Sequence, residues 1–598
     1  MTTTNAATDA APAAASGPTG PSTTAGATTT GATTEADAWH SLHLFLHSAT
    51  EDTDAFLLRG AAPLLDGLVA AGEASDWFFI RYGEDGPHVR IRVRGLSPRA
   101  AGELPALLSR AAEDVPSVSG PWPTRHGEVR VVPYEPETDR YGGPVALPVA
   151  EEVFAASSRV VLDALRALPE GAGGSARLTL AADLAHATVD GLGMDRLTAA
   201  RWLRGHAAGW RWVTEVPLLP SAAVHARVNV VYAAQRTALT ARAADVRERL
   251  ADGTAAPWLA RWAEVVRAAD ARLRGRGTAA ATADAAEAPP ASTAWIWASQ
   301  LHMLFNRFGV GPDEERAVCR LAARTLLETE EPPGFFPTGH TSADVQYLER
   351  SKFQTGRNED TAVRPVANPV HPPRTARPEL PLPADALPEV SLRAALAARA
   401  SVRGPLGGPL DAGTLGSLLW HSLSESGRTE QGLADGSRRT LVHRPYPSAG
   451  ALYTARVRLL VRDVAGVPEG TYDCVPENRT LRYVGPAPSL LEVKALSTYF
   501  TRPDTDPDWV GVDDAPVFLC LYADLGRLRS RYGLRALRMA LLETGHLAQT
   551  VLLTAAALGL AGTPLGGFHD DLAHELLGLD DVEQPLQYVL PLGRRTAS

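Results

Sequence analysis

Arg444-Pro-Tyr-Pro-Ser-Ala-Gly-Ala-Leu-Tyr453 joins two prolines, a serine and a glycine, and runs into an apolar stretch marked by Val457, Leu459 and Val461. Each proline fixes its backbone torsion and removes a hydrogen-bond donor. Gly450 lets the backbone approach something flat or bulky. Ser448 puts a small hydroxyl at the same bend. The residues describe a ligand-contacting loop ahead of a strand. Taken alone, the stretch is explained slightly better as an ordinary tight turn.

Its surroundings change the balance. Upstream lie Arg399-Ala-Ser-Val-Arg403 and a helix-like segment from Leu415 to Trp420. Downstream come Tyr472, a long apolar helix, Pro564-Leu-Gly-Gly-Phe568 and Leu590-Pro-Leu-Gly-Arg594. In this order and spacing the set resembles the nitroreductase-like flavoproteins of the azoline dehydrogenase type, over residues 342–594. Those enzymes use FMN to oxidise thiazoline or oxazoline rings of ribosomal peptides to thiazole or oxazole. The resemblance implies that Arg399, Ser401 and Arg403 hold phosphate and ribityl oxygens, with Arg594 as a late phosphate contact. It places Ser448 and Gly450 near the flavin ring, where a partner subunit completes the site in a homodimer. Gly566 and Gly567 allow close backbone approach.

The helix Arg538 to Leu560 carries Glu543, His546 and Gln549 at three-residue spacing on an apolar background. A buried structural stripe and a flavin contact explain this spacing almost equally well. Where the family has a Lys-Tyr pair, this chain has Arg531-Tyr532. An arginine stays protonated and is a poor base. The resemblance therefore implies proton abstraction by Tyr532, with Arg531 assisting by charge.

The 598 residues are 45% hydrophobic and 21% charged, a globular composition long enough for two or more domains. A formal net charge of −10 provides no basic footprint for direct nucleic-acid binding. Cys319, Cys474 and Cys520 are too far apart in sequence for a metal-ligand motif or disulfide framework, which fits a reducing cytoplasm. Residues 1–36 are Thr/Ala-rich, lack the parts of a signal peptide, and are expected to be disordered. The longest apolar segment, Leu547 to Gly562, carries Gln549 and two threonines, so a buried helix explains it better than a membrane span.

In the first half, Trp39-His-Ser-Leu-His-Leu-Phe-Leu reads as a strand and Leu57 to Ala71 as a helix. Trp77 to Tyr82 and His88 to Arg94 read as a hairpin. Alternation places His88, Arg90, Arg92 and Arg94 on one face, with Arg81 on the preceding strand. A solvated, charge-blunted sheet edge would explain the hairpin alone. The loop Tyr134-Glu-Pro-Glu-Thr-Asp-Arg-Tyr-Gly-Gly143 weakens that view by adding Glu137 and Arg140, three apart. Helices are expected over Glu151–Leu168, Ala181–Leu192, Ala222–Leu250 and Trp258–Leu273. After an Ala-rich loop, Thr278 to Pro290, a further helix carries His302 and Asn306 on one face. For His302 alone, a packed helical histidine is the plain explanation.

The hairpin, the Tyr134–Gly143 loop and Leu301-His-Met-Leu-Phe-Asn-Arg307 together resemble the thiopeptide-type domain that ends class I lanthipeptide dehydratases. That family removes glutamate from glutamylated Ser or Thr, leaving dehydroalanine or dehydrobutyrine; a related branch forms pyridine rings. The resemblance assigns glutamate binding and charge stabilisation to Arg81, Arg90, Arg92 and Arg140. It lets Glu137 orient an arginine or act on protons, and makes His302 the catalytic base or acid.

The expected architecture is α+β. Its parts are a tail (1–36), an elimination domain (37–328), a linker (329–341) and a nitroreductase-like azoline dehydrogenase domain (342–598). Residues 329–390 are Pro-rich and read as a tether; within them Tyr347-Leu-Glu-Arg-Ser-Lys352 resembles the opening segment of the azoline dehydrogenases. The fusion resembles the bifunctional enzymes of lactazole-type thiopeptide maturation. It implies a precursor peptide as substrate, a separate glutamyl-tRNA-dependent glutamylation enzyme, and a cyclodehydratase or leader-binding protein. No metal, nucleic acid or membrane partner is expected. Three alternatives stand: a pyridine-forming N-terminal domain, an N-terminal domain that presents peptide without chemistry, and a generic nitroreductase acting on small quinones or nitro compounds.

Overall fold

The computed structural model describes residues 38–169, 173–213, 216–280, 293–328, 343–352, 377–433 and 436–595. The expected disordered tail and most of the Pro-rich tether lie outside these residues. The chain divides into two compact units: residues 1–219, 227–328 and 369–372, and residues 220–226, 329–368 and 373–598.

The first unit is built on a four-stranded antiparallel sheet in the order β2-β3-β1-β4. Its strands are β1 (Trp39–Phe45), β2 (Asp76–Tyr82), β3 (His88–Arg94) and β4 (Val129–Val131). The register pairs Arg92 with Phe78 and Ser41, and Arg90 with Ile80 and His43. Side chains alternate across a strand. Leu42, Leu44, Phe79, Val89, Ile91 and Val93 therefore enter an apolar core with Phe56, Leu65, Leu104 and Leu108. The opposite face carries the basic residues, each over an aromatic ring. Arg90 lies 3.3 Å from the Tyr82 centroid, Arg92 5.1 Å from Tyr134, and Arg130 4.8 Å from Phe45. Ring quadrupoles offset part of the repulsion between neighbouring cations.

The expected helices form as Leu147–Arg166, Gly174–Gly191, Ser221–Asp252, Pro257–Ala280 and Ala294–Phe308. The helix expected over Leu57–Ala71 starts earlier, at Thr50, and passes through a π-turn at Leu57–Ala61. Helices Pro98–Ala111, Arg196–Gly209 and Pro312–Leu327 escaped the sequence reading.

The second unit holds a nine-stranded sheet in the order β12-β6-β15-β13-β9-β10-β11-β5, with β14 paired to β15. The strands are β5 (Leu380–Pro381), β6 (Gly404–Gly407), β9 (Ala455–Val461), β10 (Gly470–Val475), β11 (Thr480–Gly485), β12 (Val510–Gly511), β13 (Val517–Ala523), β14 (Ala561–Gly562) and β15 (Leu586–Arg595). A separate hairpin pairs β7 (Gly427–Gly432) with β8 (Arg438–His443). Strand β13 is buried throughout. Val517, Leu519 and Leu521 join one core, with Leu547 and Val551 of helix Ala536–Ala557; Phe518, Cys520 and Tyr522 join another. Burial on both faces explains its unbroken apolar run. The last part of the Pro-rich stretch is more than a tether. Leu380 pairs with Leu481 of β11, and the Leu382 carbonyl accepts from the Trp420 indole at 3.1 Å.

The three cysteines are free and buried. Among the described residues, no helix is long and apolar enough to cross a membrane.

The basic sheet face makes stability pH-dependent. Burial, with Arg90 adding, takes His43 down to about 3 and His88 down to about 4. The unfolded chain thus binds more protons between about 4 and 6.5, and stability falls as pH drops through that window. For His88, only 4% exposed, the loss at pH 5 should be about 2 kcal/mol. Urea unfolding of the wild type and of His88→Gln at pH 7.5 and 5 measures it. The variant should lose that share of the pH dependence.

Candidate functional site

The first unit gathers its polar groups around the helix Ala294–Phe308. The turn Thr138–Tyr141 docks on it through Gly142, whose φ is 90°. A Cβ there would meet Ile296 Cδ1 at 2.8 Å and Ala146 Cβ at 2.9 Å, so the close approach requires glycine. Docking brings the Arg140 Nε to 3.3 Å from the Ser299 hydroxyl, while its Nη1 donates to Glu137 at 2.8 Å. Burial works against the Arg140 charge, but Tyr141 and Glu137 outweigh it and hold its pKa above the usual value.

Ser299 stands one helical turn before His302. The His302 Nδ1 lies 2.9 Å from a carboxylate oxygen of Glu315 on the helix Pro312–Leu327. The other oxygen lies 2.6 Å from His206 Nε2 and accepts from the Trp210 indole at 2.9 Å. Glu315 is fully buried. Burial alone would push its carboxyl up, but His302 and His206 hold it well below the usual range.

Arg92 and Arg307 lie in the interior near Tyr134. Arg92 Nε and Nη1, and all three Arg307 guanidinium nitrogens, are buried with no hydrogen-bond partner among the described residues. Burial pushes Arg92 down to about 10 and Arg307 to about 9. Arg307 lies 5.3 Å from the Phe154 ring and 5.8 Å from Phe78. Buried donors without acceptors are uncommon in folded proteins, and each needs an explanation. Their chemistry suits a carboxylate, which accepts hydrogen bonds and carries the opposite charge.

The sequence candidates separate here. Arg92, Glu137, Arg140 and His302 share one neighbourhood. Arg90 lies along the same sheet face, donating to His88 Nε2 at 3.1 Å and pairing with Glu84 at 3.3 Å. Arg81 is engaged elsewhere. Its guanidinium pairs with Asp54, which also holds Arg177, and its Nε donates to the Arg307 carbonyl at 2.9 Å. Asn306 bonds both the amide and the carbonyl of Arg81 at 2.9 Å, locking β2 to the His302 helix.

Sequence reading missed Glu315, His206, Trp210 and Arg307. Glu315 follows Pro312-Asp-Glu and looks like a solvated first-turn acid. The usable signal was that it precedes buried Val318 and Cys319 by three and four residues, on the apolar face.

In the second unit, Glu543 anchors the Pro-Ser-Ala-Gly loop. This carboxylate, 1% exposed, accepts from the Ser448 hydroxyl at 2.6 Å and the Ala455 amide at 2.7 Å. His546 and Gln549 are exposed. So the stripe divides: Glu543 holds the loop, and the other two face outward. The loop brings Gly450 against Arg531 and Tyr532, with the Arg531 guanidinium 5.7 Å from the Tyr532 ring.

A cleft of about 400 Å³ lies farther along the same helix, lined by Arg399, Leu552, Gly559, Gly562, Arg594 and Arg595 among others. Among the described residues, neither Arg399 nor Arg594 meets a carboxylate at ion-pair distance. Ser401 bridges Gly562 beside this cleft. Arg403 leans toward Asp508, 3.6 Å away. Gly566 has open space around it, and a Cβ on Gly567 would meet Tyr499 at 3.2 Å. A cleft with unpaired guanidiniums and glycine walls suits a phosphate-bearing cofactor by donor chemistry and by shape.

Comparison with known proteins agrees with this division. Residues 39–326 match the family described as lantibiotic biosynthesis dehydratase C-term, and residues 396–594 match the nitroreductase family. The nitroreductase-family protein MJ1384 of Methanocaldococcus jannaschii is 31% identical over 212 residues, 35% of this chain and 92% of that protein. The microcin B17-processing protein McbC of Escherichia coli is 30% identical over 143 residues, 23% of this chain and 50% of McbC. The pyridine synthase TbtD from thiomuracin biosynthesis superposes with a TM-score of 0.36 at 22% identity, over 48% of this chain and 97% of TbtD. The chain belongs to the nitroreductase family, with a lantibiotic dehydratase C-terminal domain fused ahead of its nitroreductase domain. Members of the nitroreductase family typically bind flavin.

The Gly450 contact is open to test. At φ 60° a Cβ would lie 2.6 Å from the Tyr532 hydroxyl and 2.9 Å from Arg531 Nη1. Gly450→Ala should lower stability by about 1–2 kcal/mol from the left-handed backbone alone. Urea unfolding reads that loss. An unchanged midpoint would mean the loop relaxes freely.

Proposed function

We propose that the chain matures ribosomally made peptides at two sites. The first eliminates glutamate from glutamylated Ser or Thr to leave dehydroalanine or dehydrobutyrine. The second is an FMN-dependent azoline dehydrogenase that oxidises thiazolines or oxazolines to thiazoles or oxazoles. The elimination reading is carried by Arg140, docked from its turn against Ser299, one helical turn before His302, whose Nδ1 meets Glu315.

In elimination, His302 Nε2 takes the Cα proton, the Cα–Cβ double bond forms, and the Cβ–O bond breaks. Glutamate leaves as a carboxylate and needs no proton. Arg92 and Arg140 bind the glutamyl carboxylates, Arg90 adds positive potential, and Glu137 orients Arg140. A guanidinium fork matches a carboxylate bidentately, and preorganised donors act where charge develops.

In oxidation, bound FMN supplies the hydride acceptor. Arg399 and Arg594 hold the phosphate end, with Ser401 and Arg403 at its margin. The adjacent Arg531 cation favours Tyr532 as the phenolate, which takes the ring proton and becomes the neutral phenol. Glu543 and Ser448 keep the Gly450 loop against that pair. Helix Ala536–Ala557 separates Tyr532 from the phosphate cleft. From Ala536 to Ala555 the rise is about 28 Å at 1.5 Å per residue, a span longer than one FMN. This supports a homodimer in which one copy supplies the phosphate cradle and its partner the Gly450 loop. The glutamyl ester would come from a separate glutamyl-tRNA-dependent enzyme, and the azolines from a cyclodehydratase with leader recognition.

Arg140→Ala and His302→Ala should each reduce elimination at least about a hundredfold, the lower range for losing a positioned acid, base or oxyanion donor. Azoline oxidation should be untouched. Mass spectrometry of a glutamylated peptide would show ester accumulating. Normal dehydroalanine yield from both variants would refute the assignment.

Arg594→Ala should weaken FMN binding by about tenfold or more, the value of one charge-assisted hydrogen bond. Flavin absorbance after dialysis measures it. Full retention would put the phosphate elsewhere.

A further inference from the structure

The Glu315 carboxylate has three nitrogen partners and no ion-paired arginine or lysine among the described residues. It sits at the centre of a graded cluster. Its own side chain is 0% exposed, His206 8% and His302 14%. His302 is the more exposed of the two rings. The Trp210 ring meets the His302 ring edge-on, 4.8 Å away at 73°, and restricts its plane. His206 stacks on Trp202 at 6.0 Å, and the Trp202 indole donates to the Ala294 carbonyl at 3.1 Å. This fastens the His206 helix to the start of the His302 helix.

We infer that Glu315, held by His206 and the Trp210 indole, is the positioning carboxylate of His302. It fixes the tautomer that leaves Nε2 unprotonated, and stabilises the imidazolium formed when that atom takes a proton. The inference rests on the elimination reading for the identity of the proton donor.

An ionised carboxylate only accepts, so each imidazole nitrogen facing it must carry a proton. His302 therefore keeps its proton on Nδ1 and presents a lone pair at Nε2. His206 donates from Nε2. With both rings neutral the buried cluster carries one negative charge. When Nε2 of His302 gains the Cα proton, the cluster becomes neutral, which is favourable in a dry interior. The remaining groups facing Glu315 are Arg140 from the Thr138–Tyr141 turn and Cys319 one turn along its own helix. His206 thus acts through Glu315, as a positioning residue.

The test uses the full chain with a glutamylated peptide, measuring kcat and KM from pH 5 to 9. In Glu315→Gln the amide NH₂ can face Nδ1 and select the wrong tautomer. It should lower kcat by about 10³–10⁴, as loss of the equivalent carboxylate does in a hydrolytic triad, with KM within roughly threefold. His206→Phe removes one donor and should lower kcat by about tenfold or more, whereas His206→Gln restores an N–H donor and most of the rate. If Glu315→Gln does not fold, the His206 pair decides. Equal rates for Phe and Gln, or losses confined to KM, would overturn the inference.

An activity-independent arm reads the His302 tautomer by long-range ¹H–¹⁵N NMR, with the ring assigned from His302→Gln. The neutral ring should carry its proton on Nδ1 in the wild type and lose that preference in Glu315→Gln. A neutral wild-type ring protonated on Nε2, or a tautomer unchanged in Glu315→Gln, would overturn the pairing. Wild-type protein that leaves the glutamylated peptide intact would refute the elimination reading instead, while the NMR arm still decides the His302–Glu315 pairing.

Discussion

A buried carboxylate must be surrounded by donors or give up its charge, and each unit of this chain builds its site on that requirement. In the first unit Glu315 draws His302 from one segment and His206 and Trp210 from another. In the second, Glu543 pins Ser448 and the Ala455 amide, and thereby the Gly450 loop, to the helix that follows Tyr532. Among the described residues, neither carboxylate is offset by an ion-paired guanidinium. Hydrogen-bond donors satisfy both, so the geometry is directional rather than merely attractive. Directionality is what a proton-transfer site requires.

Positive charge in the first unit is handled by a second physical device. The sheet face of β1–β4 sets its arginines over rings, with Arg90 on Tyr82 and Arg130 on Phe45. Arg81 is paired with Asp54 and serves the scaffold. Arg92 and Arg307 also lie by rings, but they are buried and hold donors with no acceptor among the described residues. That contrast separates arginines that build the fold from those suited to an anionic ligand. The hairpin's alternation cannot make the distinction, since Arg90 and Arg92 occupy equivalent faces of one strand.

Much of the architecture was legible because it rests on local chemistry. The β2–β3 hairpin follows from a turn between alternating strands, and the His302 helix from its apolar spacing. Glu137 and Arg140 meet because a tight turn brings residues three apart together. Strand β13 was harder, because burial on both faces erases the two-residue period. The helices carrying His206 and Glu315 were missed as elements, so their residues could not be joined to His302 across 96 and 13 positions. Ser448 and Glu543 were each singled out, but their bond spans 95 residues and appears only in the fold. Long-range pairing between isolated polar residues leaves no periodic trace in one sequence. Family resemblance supplied His302 and Tyr532, and the coordinates supplied what surrounds them.

The proposed function puts two independent chemistries on one peptide. The decisive measurement incubates the purified full-length protein with a single peptide that bears both a glutamylated serine and a thiazoline, and records intact and fragment masses over time. Glutamic acid should be lost at the serine and two hydrogens at the ring, each proceeding when the other position is blocked in the substrate. A peptide recovered unchanged at both positions from flavin-loaded protein would show the proposal to be wrong.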